Sequence, residues 1–368
     1  MDASEPGNVV VDLADPFVGA QLSDRFRIDA KLGAGGYGYV YAGTQLGVDR
    51  KVAIKLLRPE LCTDEEVTAR FMREGLVMCK LRSEHTVTTY DVGRAEDGTM
   101  YIVMELLEGR SLKEIIRKES PLRWRRVLDI LQQICVALAE AHECGIVHRD
   151  LKPANIQVEQ RSGKADFIKV LDFGIAKIVE GGRLGMNTVP QLTAKGQTVG
   201  TLRYMSPEQL RGHELDGRSD IYTTGVLAYQ LLTGQVPFPR AKMPVDLITA
   251  QLRSTPDAPS SVQRDAGIPA RVDQLLAQML DKDPEKRPED AQAVRRICQE
   301  ILDGEQDQPA RERPATDGAA TRSDVAPDVG PTEAIGVSPE ASGRSIPLLT
   351  LIGAVLVVIA VVFALLVR

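Results

Sequence analysis

The chain has 368 residues, a formal net charge of −6 at pH 7 and an isoelectric point near 5.5. This length exceeds what one hydrophobic core usually serves, so we expect more than one structural unit. The acidic balance argues against a protein that holds nucleic acid through phosphate contacts, since such domains are usually basic. The five cysteines contain no CxxC pair, which argues against a disulfide framework and against a zinc knuckle.

The first 104 residues read as an extension followed by a small β-rich unit. Residues 1–17 carry acidic side chains and no basic run before an apolar stretch, so a secretory signal is not expected and the N-terminus should stay in the cytosol. Residues 18–104 contain short β-rich runs such as "YGYVYAG", "KVAIKLL" and "YIVME". One helix-like stretch, residues 65–81, interrupts them.

Helical periodicity dominates residues 108–302. Residues 127–142 repeat apolar side chains at helical spacing, and Gly145 follows as a stop signal. Near the end of this region a further helix is predicted, with Val294, Cys298 and Ile301 on one face. We therefore predict an α+β fold with a β-rich lobe over 18–104, a helical lobe over 108–302 and a cleft between them.

The last part of the chain is predicted to be a linker and a membrane anchor. Residues 303–345 are rich in Pro, Ala, Asp and Gly and contain no aromatic residue, which is typical of a disordered linker. Residues 346–367 are 22 residues without a charge, enough for a helix of about 33 Å against a hydrocarbon core of about 30 Å. The alternative, a buried core helix, would need further chain to surround it. We expect a single-pass protein of the cell membrane with its folded domain in the cytosol.

A glycine-rich stretch, "GAGGYG" at residues 33–38, satisfies GxGxxG, although this match alone is weak. A dinucleotide-binding fold would continue into a helix, with an acidic residue about 20 positions further on. Here "YVYAG" continues as a strand and position 58 is Arg58. A loop between two strands that lays its backbone N–H groups over phosphates fits better.

Lys55 ends the apolar run "VAIK", and an ammonium is costly to bury without an anionic partner. Glu74, on the helix-like stretch, is the candidate partner. The alternative is an exposed lysine at a strand end, and the run alone does not decide between the two.

The richest chemistry lies in "HRDLKPANIQV", residues 148–158, and "KVLDFGIAK", residues 169–177. Asp150 can accept the proton of an attacking hydroxyl, and Lys152 can steady a transferred group. Asn155 and Asp172 offer hard oxygen ligands for Mg²⁺. Phosphoryl transfer needs positioning and charge neutralisation, which is the chemistry that one base, two metal ligands and several cations supply.

Taken in order, these motifs resemble the protein-kinase signature: the glycine loop, "VAIK", Glu74, "HRDLKPAN", "DFG" at 172–174 and "SPE" at 206–208. The resemblance covers about 285 residues. "LKPAN" resembles the serine/threonine branch, and "VGTLRYMSPEQL" is similar to bacterial eukaryotic-like serine/threonine kinases. It implies the two-lobed kinase fold.

The resemblance also implies roles. Asp150, Lys152, Lys55 and Glu74 would be catalytic, and Asn155 and Asp172 would hold Mg²⁺ or Mn²⁺. ATP would contact Leu32, Gly33, Ala34, Gly35, Gly36, Tyr37, Gly38, Val40, Ala53, Lys55, Met104, Glu105, Leu107, Asn155 and Asp172. Met104 would be the gatekeeper. Three further ties are implied: Thr201 in the substrate pocket, Asp220 bracing the catalytic loop, and Arg287 paired with Glu208.

Arg149 is a cation that, by the resemblance, pairs with a phosphorylated residue of the activation loop. The candidates are Thr193, then Thr198, with Thr188 as a third; plain loop threonines are the alternative.

The expected function is therefore an ATP-dependent protein serine/threonine kinase in membrane-associated signalling. We expect activation by autophosphorylation, in trans within a homodimer, with proteins as substrates and no nucleic acid as partner. Two alternatives stay open: a catalytically silent scaffold, and a small-molecule phosphotransferase of related fold. Nucleotide binding without turnover would favour the first, and absence of signal on a peptide array would favour the second.

Overall fold

The computed structural model describes residues 15–36, 38–161, 163–173 and 199–304, without the side chains of Glu74, Lys164 and Val199. Within these ranges a lobe built mainly of β-strands is followed along the chain by a lobe built mainly of α-helices. The predicted α+β division into two lobes is confirmed.

The first lobe contains a six-stranded sheet in which all neighbouring strands are antiparallel. Its strands are β1 (Gln21–Leu22), β2 (Phe26–Ala34), β3 (Gly38–Gln45), β4 (Arg50–Leu57), β5 (Thr89–Arg94) and β6 (Met100–Glu105). They lie in the order β1, β2, β3, β4, β6, β5. In β4 the side chains of Val52 and Ile54 pack on one face of the sheet, and Ala53 packs on the other. Because successive side chains point to opposite faces, β4 is covered on both sides.

One helix, α1 (Glu65–Met78), packs on this sheet. The Asp64 carboxylate caps it by accepting hydrogen bonds from the N–H groups of Glu66 (2.9 Å) and Val67 (3.1 Å). Gly75 allows a close approach to β5, since a Cβ at this position would lie 2.5 Å from Val92 Cγ2. The sequence interpretation of a helix over 65–81 was thus close, and α1 ends three residues earlier.

The second lobe is mainly helical. Its helices are α2 (Leu112–Glu119), α3 (Trp124–Glu143), α4 (Val199–Leu202), α5 (Pro207–Arg211), α6 (Gly217–Thr233), α7 (Pro244–Arg253), α8 (Pro259–Val262), α9 (Ala270–Met279) and α10 (Ala291–Gly304). A small sheet of β7 (Arg110–Ser111), β8 (Ile156–Arg161) and β9 (Lys164–Val170) lies beside them.

Helices α3 and α6 form the centre of this lobe. The predicted helix over 127–142 corresponds to α3, which ends before Gly145, a residue with a φ of +75°. Helix α6 is buried along most of its length and ends at Gly234, also in the left-handed region. On α10 the predicted face is buried at Val294, Cys298 and Ile301. That helix ends at Gly304, two residues beyond the predicted domain end at 302.

The two lobes are also joined by contacts near β9. The Val87 N–H donates to the Val170 carbonyl at 3.0 Å, and the Val170 N–H donates to the His85 carbonyl at 2.8 Å. The Lys169 ammonium, 3% exposed, pairs with Glu105 Oε1 at 2.6 Å. These contacts fix β9, and the residues that follow it, against the first lobe.

The predicted linker and membrane-spanning segment, residues 303–345 and 346–367, lie outside the described residues apart from residues 303 and 304, the last two of α10. Among the helices that the structure does describe, none combines the length and apolar character that crossing a membrane requires.

A buried ion pair ties α5 to the rest of the helical lobe, as the sequence resemblance implied. Arg287 contacts both carboxylate oxygens of Glu208, at 2.7 and 2.9 Å, and the Ser219 hydroxyl donates to the same carboxylate at 2.7 Å. Burial alone would raise the pKa of Glu208, but the Arg287 guanidinium outweighs it and holds that pKa below its ordinary value.

We expect Arg287→Met to lower the free energy of unfolding at pH 7 by about 3–5 kcal/mol, because it leaves the Glu208 carboxylate buried without its cation. Urea unfolding of both chains measures the change. Arg271→Met is the matched control, since its pair with Glu300 is exposed and should contribute about 0–1 kcal/mol.

The deficit should also depend on pH. In the wild type the folded pKa of Glu208 lies below its unfolded value near 4.5, so the stability from this pair is present above pH 4.5 and is lost as the pH falls through the folded pKa. The difference between Arg287→Met and wild type should therefore shrink in acid. A difference that stays constant from pH 7 down to a pH below the folded pKa of Glu208 would contradict the ionic origin.

Candidate functional site

The glycine-rich stretch forms the turn between β2 and β3. The Gly35 N–H donates to the Gly38 carbonyl at 2.8 Å, and Arg58 Nη2 donates to the Gly35 carbonyl at 2.9 Å. At Gly38 a Cβ would lie 2.0 Å from the Leu56 carbonyl oxygen, so the close approach of β3 to β4 requires glycine. Tyr37 lies outside the described residues.

Strand register places this turn beside Lys55. Gly33 pairs with Val40 across β2 and β3, and Val40 pairs with Lys55 across β3 and β4. One strand further, Ala53 pairs with Met104 on β6. Sheet pairing thus gathers most of the predicted nucleotide contacts of the first lobe: Leu32, Gly33, Ala34, Val40, Ala53, Lys55, Met104 and Glu105.

Lys55 reaches across to the second lobe. Its Nζ lies 2.8 Å from Asp172 Oδ1, and its side chain is 14% exposed. Burial would raise the pKa of Asp172, but the Lys55 ammonium outweighs this and holds the pKa below its ordinary value. The alternative of an exposed strand-end lysine is therefore wrong. The partner seen here is Asp172, and the predicted partner Glu74 has a side chain outside the described residues.

Asp150 lies in a loop with two other predicted site residues. Lys152 Nζ donates to Asp150 Oδ2 at 2.7 Å, and Asn155 Nδ2 donates to the Asp150 carbonyl oxygen at 2.9 Å. A cation, a carboxylate and an amide are thus held together within six residues. The Lys152 ammonium is placed to meet negative charge that develops near Asp150.

Asn155 and Asp172 come from segments that run side by side. Ile156 pairs with Val170, and the Leu171 N–H donates to the Asn155 carbonyl at 2.9 Å. Among the described residues, Asn155 Oδ1 and Asp172 Oδ2 have no hydrogen-bond partner. Amide and carboxylate oxygens suit Mg²⁺, which usually takes one or two carboxylates and keeps its other ligands from water and phosphate. The residues present therefore fit a divalent cation.

Helix α6 holds the loop that leads to Asp150. Asp220, 1% exposed, accepts hydrogen bonds from the backbone N–H groups of His148 (2.8 Å) and Arg149 (3.0 Å). His142 Nε2 lies 2.8 Å from the same carboxylate. Burial would raise the pKa of Asp220, but His142, with smaller contributions from His148 and the Arg149 N–H, holds it below the ordinary value. The brace implied by the resemblance is thus present as direct contacts.

The connection between the lobes follows β6. The Glu105 N–H donates to the Thr88 carbonyl at 2.9 Å, so this group is already engaged and does not face a nucleotide. The Glu105 carboxylate accepts from Lys169 and from the Thr88 N–H. Leu107 follows two residues later and is half-buried. Of the two backbone groups of Glu105 that were predicted to contact adenine, only the carbonyl oxygen therefore stays a candidate.

The predicted phosphosites, Thr193 and Thr198, lie outside the described residues, as do Thr188 and Gly174. Their assignment stays a prediction.

Sequence reasoning missed the Lys169–Glu105 pair and the contact of His142 with Asp220, having interpreted His142 as a helix-end residue. A signal existed for the first: Lys169 is a charge inside the apolar strand "FIKVL". For His142 no local signal exists, because the end of a helix is an ordinary place for histidine.

Comparisons with known proteins agree with this geometry. The protein kinase domain family matches residues 26–300. Among curated proteins, the serine/threonine-protein kinases pkn3 and Pkn1 of Myxococcus xanthus are 41% and 40% identical over 309 and 325 residues, which are 84% and 88% of this chain. PknB of Mycobacterium tuberculosis is 37% identical over 290 residues, 78% of this chain.

The chain spans about half the length of these relatives, 54%, 45% and 44% in the same order. Among solved structures, the kinase domain of Mycobacterium tuberculosis PknI superposes with a TM-score of 0.59 at 26% identity, covering 78% of this chain and 98% of that one. The chain therefore belongs to the protein kinase family, among the bacterial serine/threonine-protein kinases.

Proposed function

We propose that the chain transfers the γ-phosphoryl group of ATP to serine and threonine hydroxyls of proteins. The observation that carries this proposal is the Lys55–Asp172 contact at 2.8 Å, which aligns the phosphate-facing strands of one lobe with the metal-ligand oxygens of the other. Kinship with serine/threonine-protein kinases supports the choice of hydroxyl acceptor.

Each side chain has a task in this reaction. The Lys55 ammonium would hold the α- and β-phosphates, and the turn between β2 and β3 would cover them with N–H groups. Asn155 Oδ1 and the Asp172 carboxylate would hold Mg²⁺, which when bound neutralises charge on the phosphates. Asp150 would accept the proton of the attacking hydroxyl. Lys152, 2.7 Å from Asp150, would steady the phosphoryl group as its oxygens approach.

The acceptor side of the site favours a protein over a small molecule. Thr201, Tyr204 and Gln209 line a crevice together with Asp150 and Lys152. Thr201 and Tyr204 precede α5 and Gln209 lies on it, and the Arg287–Glu208 pair anchors this helix, so these residues form a firm surface beside Asp150. A surface of this kind suits an extended peptide. A small-molecule acceptor would not need an extended surface beside Asp150.

A silent scaffold is disfavoured by the same contacts. Lys55, Lys152, Asp150, Asn155 and Asp172 are all present and converge on one cleft, and a pure binding role would require none of them together. Autophosphorylation in trans within a homodimer, at Thr193 or Thr198, belongs to this proposal as its mode of activation.

We further propose that residues 346–367 anchor the chain in the cell membrane, with the kinase domain in the cytosol. The support is that these 22 residues carry no charge, with Arg344 and Arg368 as the nearest charged residues on either side.

Asp150→Asn should lower the rate of phosphoryl transfer about 10²–10⁴-fold, because it removes the base and leaves the amide oxygen as an acceptor for Lys152. The measurement is transfer from radiolabelled Mg-ATP to a basic protein substrate by the full chain in detergent. Nucleotide affinity should stay within about threefold of wild type. Asp265→Asn, an exposed loop carboxylate, is the matched control; equal activity of both variants would sink the assignment.

Lys55→Met should raise the pKa of Asp172 relative to wild type, because burial is then opposed only by the smaller influences of His148 and Lys152. Carbon NMR titration of labelled aspartate checks the direction of this shift. Nucleotide affinity should fall about tenfold or more, as a phosphate contact is lost. Lys51→Met, on the same strand but 65% exposed, is the control. An unchanged Asp172 titration in Lys55→Met would contradict the pairing.

Paired substitutions Leu356→Arg and Val357→Arg should release the chain from membranes, at a cost of about 2.5–3.5 kcal/mol for each arginine at the centre of the span. Flotation of the full chain with lipid vesicles measures the bound fraction. Arginines at Ala319 and Ala320 in the linker add the same charge and should leave binding unchanged. Continued flotation of the Leu356 and Val357 variant would count against the anchor.

A further inference from the structure

The backbone directly before the proposed base is in an uncommon conformation. Arg149 has a φ of +67°, and the Asp150 N–H donates to the His148 carbonyl at 2.8 Å. A hydrogen bond from residue i+2 to residue i around a central residue with positive φ is the rare and strained form of the γ-turn. Such a conformation persists only when its surroundings hold it.

Two buried side chains hold this turn from opposite ends of Arg149. The Arg149 N–H donates to Asp220 Oδ1 at 3.0 Å, which is the brace from α6. The Arg149 carbonyl oxygen accepts from Gln209 Nε2 at 2.6 Å. That carbonyl belongs to the peptide that links Arg149 to Asp150. The hydrogen bond from Gln209 therefore fixes the orientation of this peptide, and with it the direction of the Asp150 side chain.

Gln209 is itself fixed. It is 6% exposed and lies on α5, where its amide oxygen accepts from the Ser206 N–H at 2.9 Å and the Ser206 hydroxyl accepts from the Gln209 N–H at 3.3 Å. This reciprocal pair is a capping box. One neighbour of the amide is a donor and the other an acceptor, so the orientation of the amide follows from the network.

We propose that Gln209 is a positioning residue: its amide N–H sets the Arg149–Asp150 peptide, and through it the proton-accepting carboxylate. The proposal rests on the proposed function. The hydrogen bond from Gln209 to the Arg149 carbonyl would connect α5, which borders the proposed protein-binding side of the cleft, directly to the loop that carries Asp150.

Only an amide satisfies both contacts. A glutamate in this place would still accept from the Ser206 N–H and so keep the capping box, but it has no N–H for the Arg149 carbonyl. It would also set a carboxylate oxygen against that carbonyl oxygen. Gln209→Glu therefore removes the proposed contact while keeping the size of the side chain and the cap of α5.

The chain offers a matched control at Gln230. Its Oε1 accepts from the Tyr204 hydroxyl at 2.7 Å, and a glutamate would keep that contact. Gln230→Glu makes the same chemical change close to the same segment without touching the catalytic loop.

The experiment compares the wild type, Gln209→Glu and Gln230→Glu in the full chain. For Gln209→Glu we expect kcat per folded molecule to fall about tenfold and KM for Mg-ATP to stay within about twofold, since a displaced base slows chemistry more than binding. The melting temperature should also fall, because the new carboxylate is buried without a cation, so the folded fraction is measured alongside kcat. Gln230→Glu should match the wild type. If Gln209→Glu keeps its kcat within about twofold, or loses kcat only in proportion to its folded fraction, the proposal is wrong.

Hydrogen exchange separates this proposal from the proposed function. The Asp150 N–H should exchange faster in Gln209→Glu than in wild type, with α3 unchanged, whether or not the chain is active. An inactive wild type with this exchange difference would overturn the function but support the contact; unchanged exchange would overturn the contact. Should Gln209→Glu fail to fold, Gln209→Met, which makes no hydrogen bond, is judged by the same two measurements.

Discussion

The contact between the Lys55 ammonium and the Asp172 carboxylate is the constraint on which the proposed site depends, because it joins residues 117 positions apart that belong to different lobes. A covalent connection along β6 could not set this distance alone. The Val87–Val170 and Val170–His85 backbone hydrogen bonds place the end of β9 against the first lobe, two residues before Asp172. Since Lys55 is fixed by pairing with Val40 and Ile102, both ends of the contact are set by backbone geometry.

The helical lobe supplies the second fixed point. Asp220 lies on α6, the most completely buried helix described. Its carboxylate accepts hydrogen bonds from the N–H groups of the loop before Asp150. A buried carboxylate is costly unless donors surround it, and here backbone N–H groups and His142 supply them. The loop before Asp150 is therefore held in place by hydrogen bonds to a buried, well-packed helix. This is the preorganisation that phosphoryl transfer requires, since most of its catalysis is positioning and charge stabilisation.

Much of the fold could be predicted from the sequence, because α1, α3 and the strands around "VAIK" carry strong local periodicity. Lys55, Asp150 and Asp172 could be singled out because charges inside or beside apolar runs need a purpose. Pairings over long distances could not: Lys169 meets Glu105 64 positions away, His142 meets Asp220 78 positions away, and Gln209 meets Arg149 60 positions away. No local pattern encodes such contacts. The Arg287–Glu208 pair was foreseen only through resemblance, which carries tertiary information that periodicity lacks.

Adjacent residues of α5 divide two tasks. Glu208 ties the helix to the body of the lobe through Arg287, while Gln209 donates a hydrogen bond to the Arg149 carbonyl. Residues 174–198, which contain the candidate phosphosites, connect by sequence to Phe173 at one end and to the α4–α5 segment at the other. Among the described residues the buried Arg149 Nε has no hydrogen-bond partner, and the Arg149 carbonyl already accepts a hydrogen bond from Gln209. A phosphorylated residue paired with Arg149, as the resemblance implies, would hold the Arg149 side chain, while Gln209 on α5 holds the Arg149 carbonyl. Activation and base positioning would then be linked through one residue.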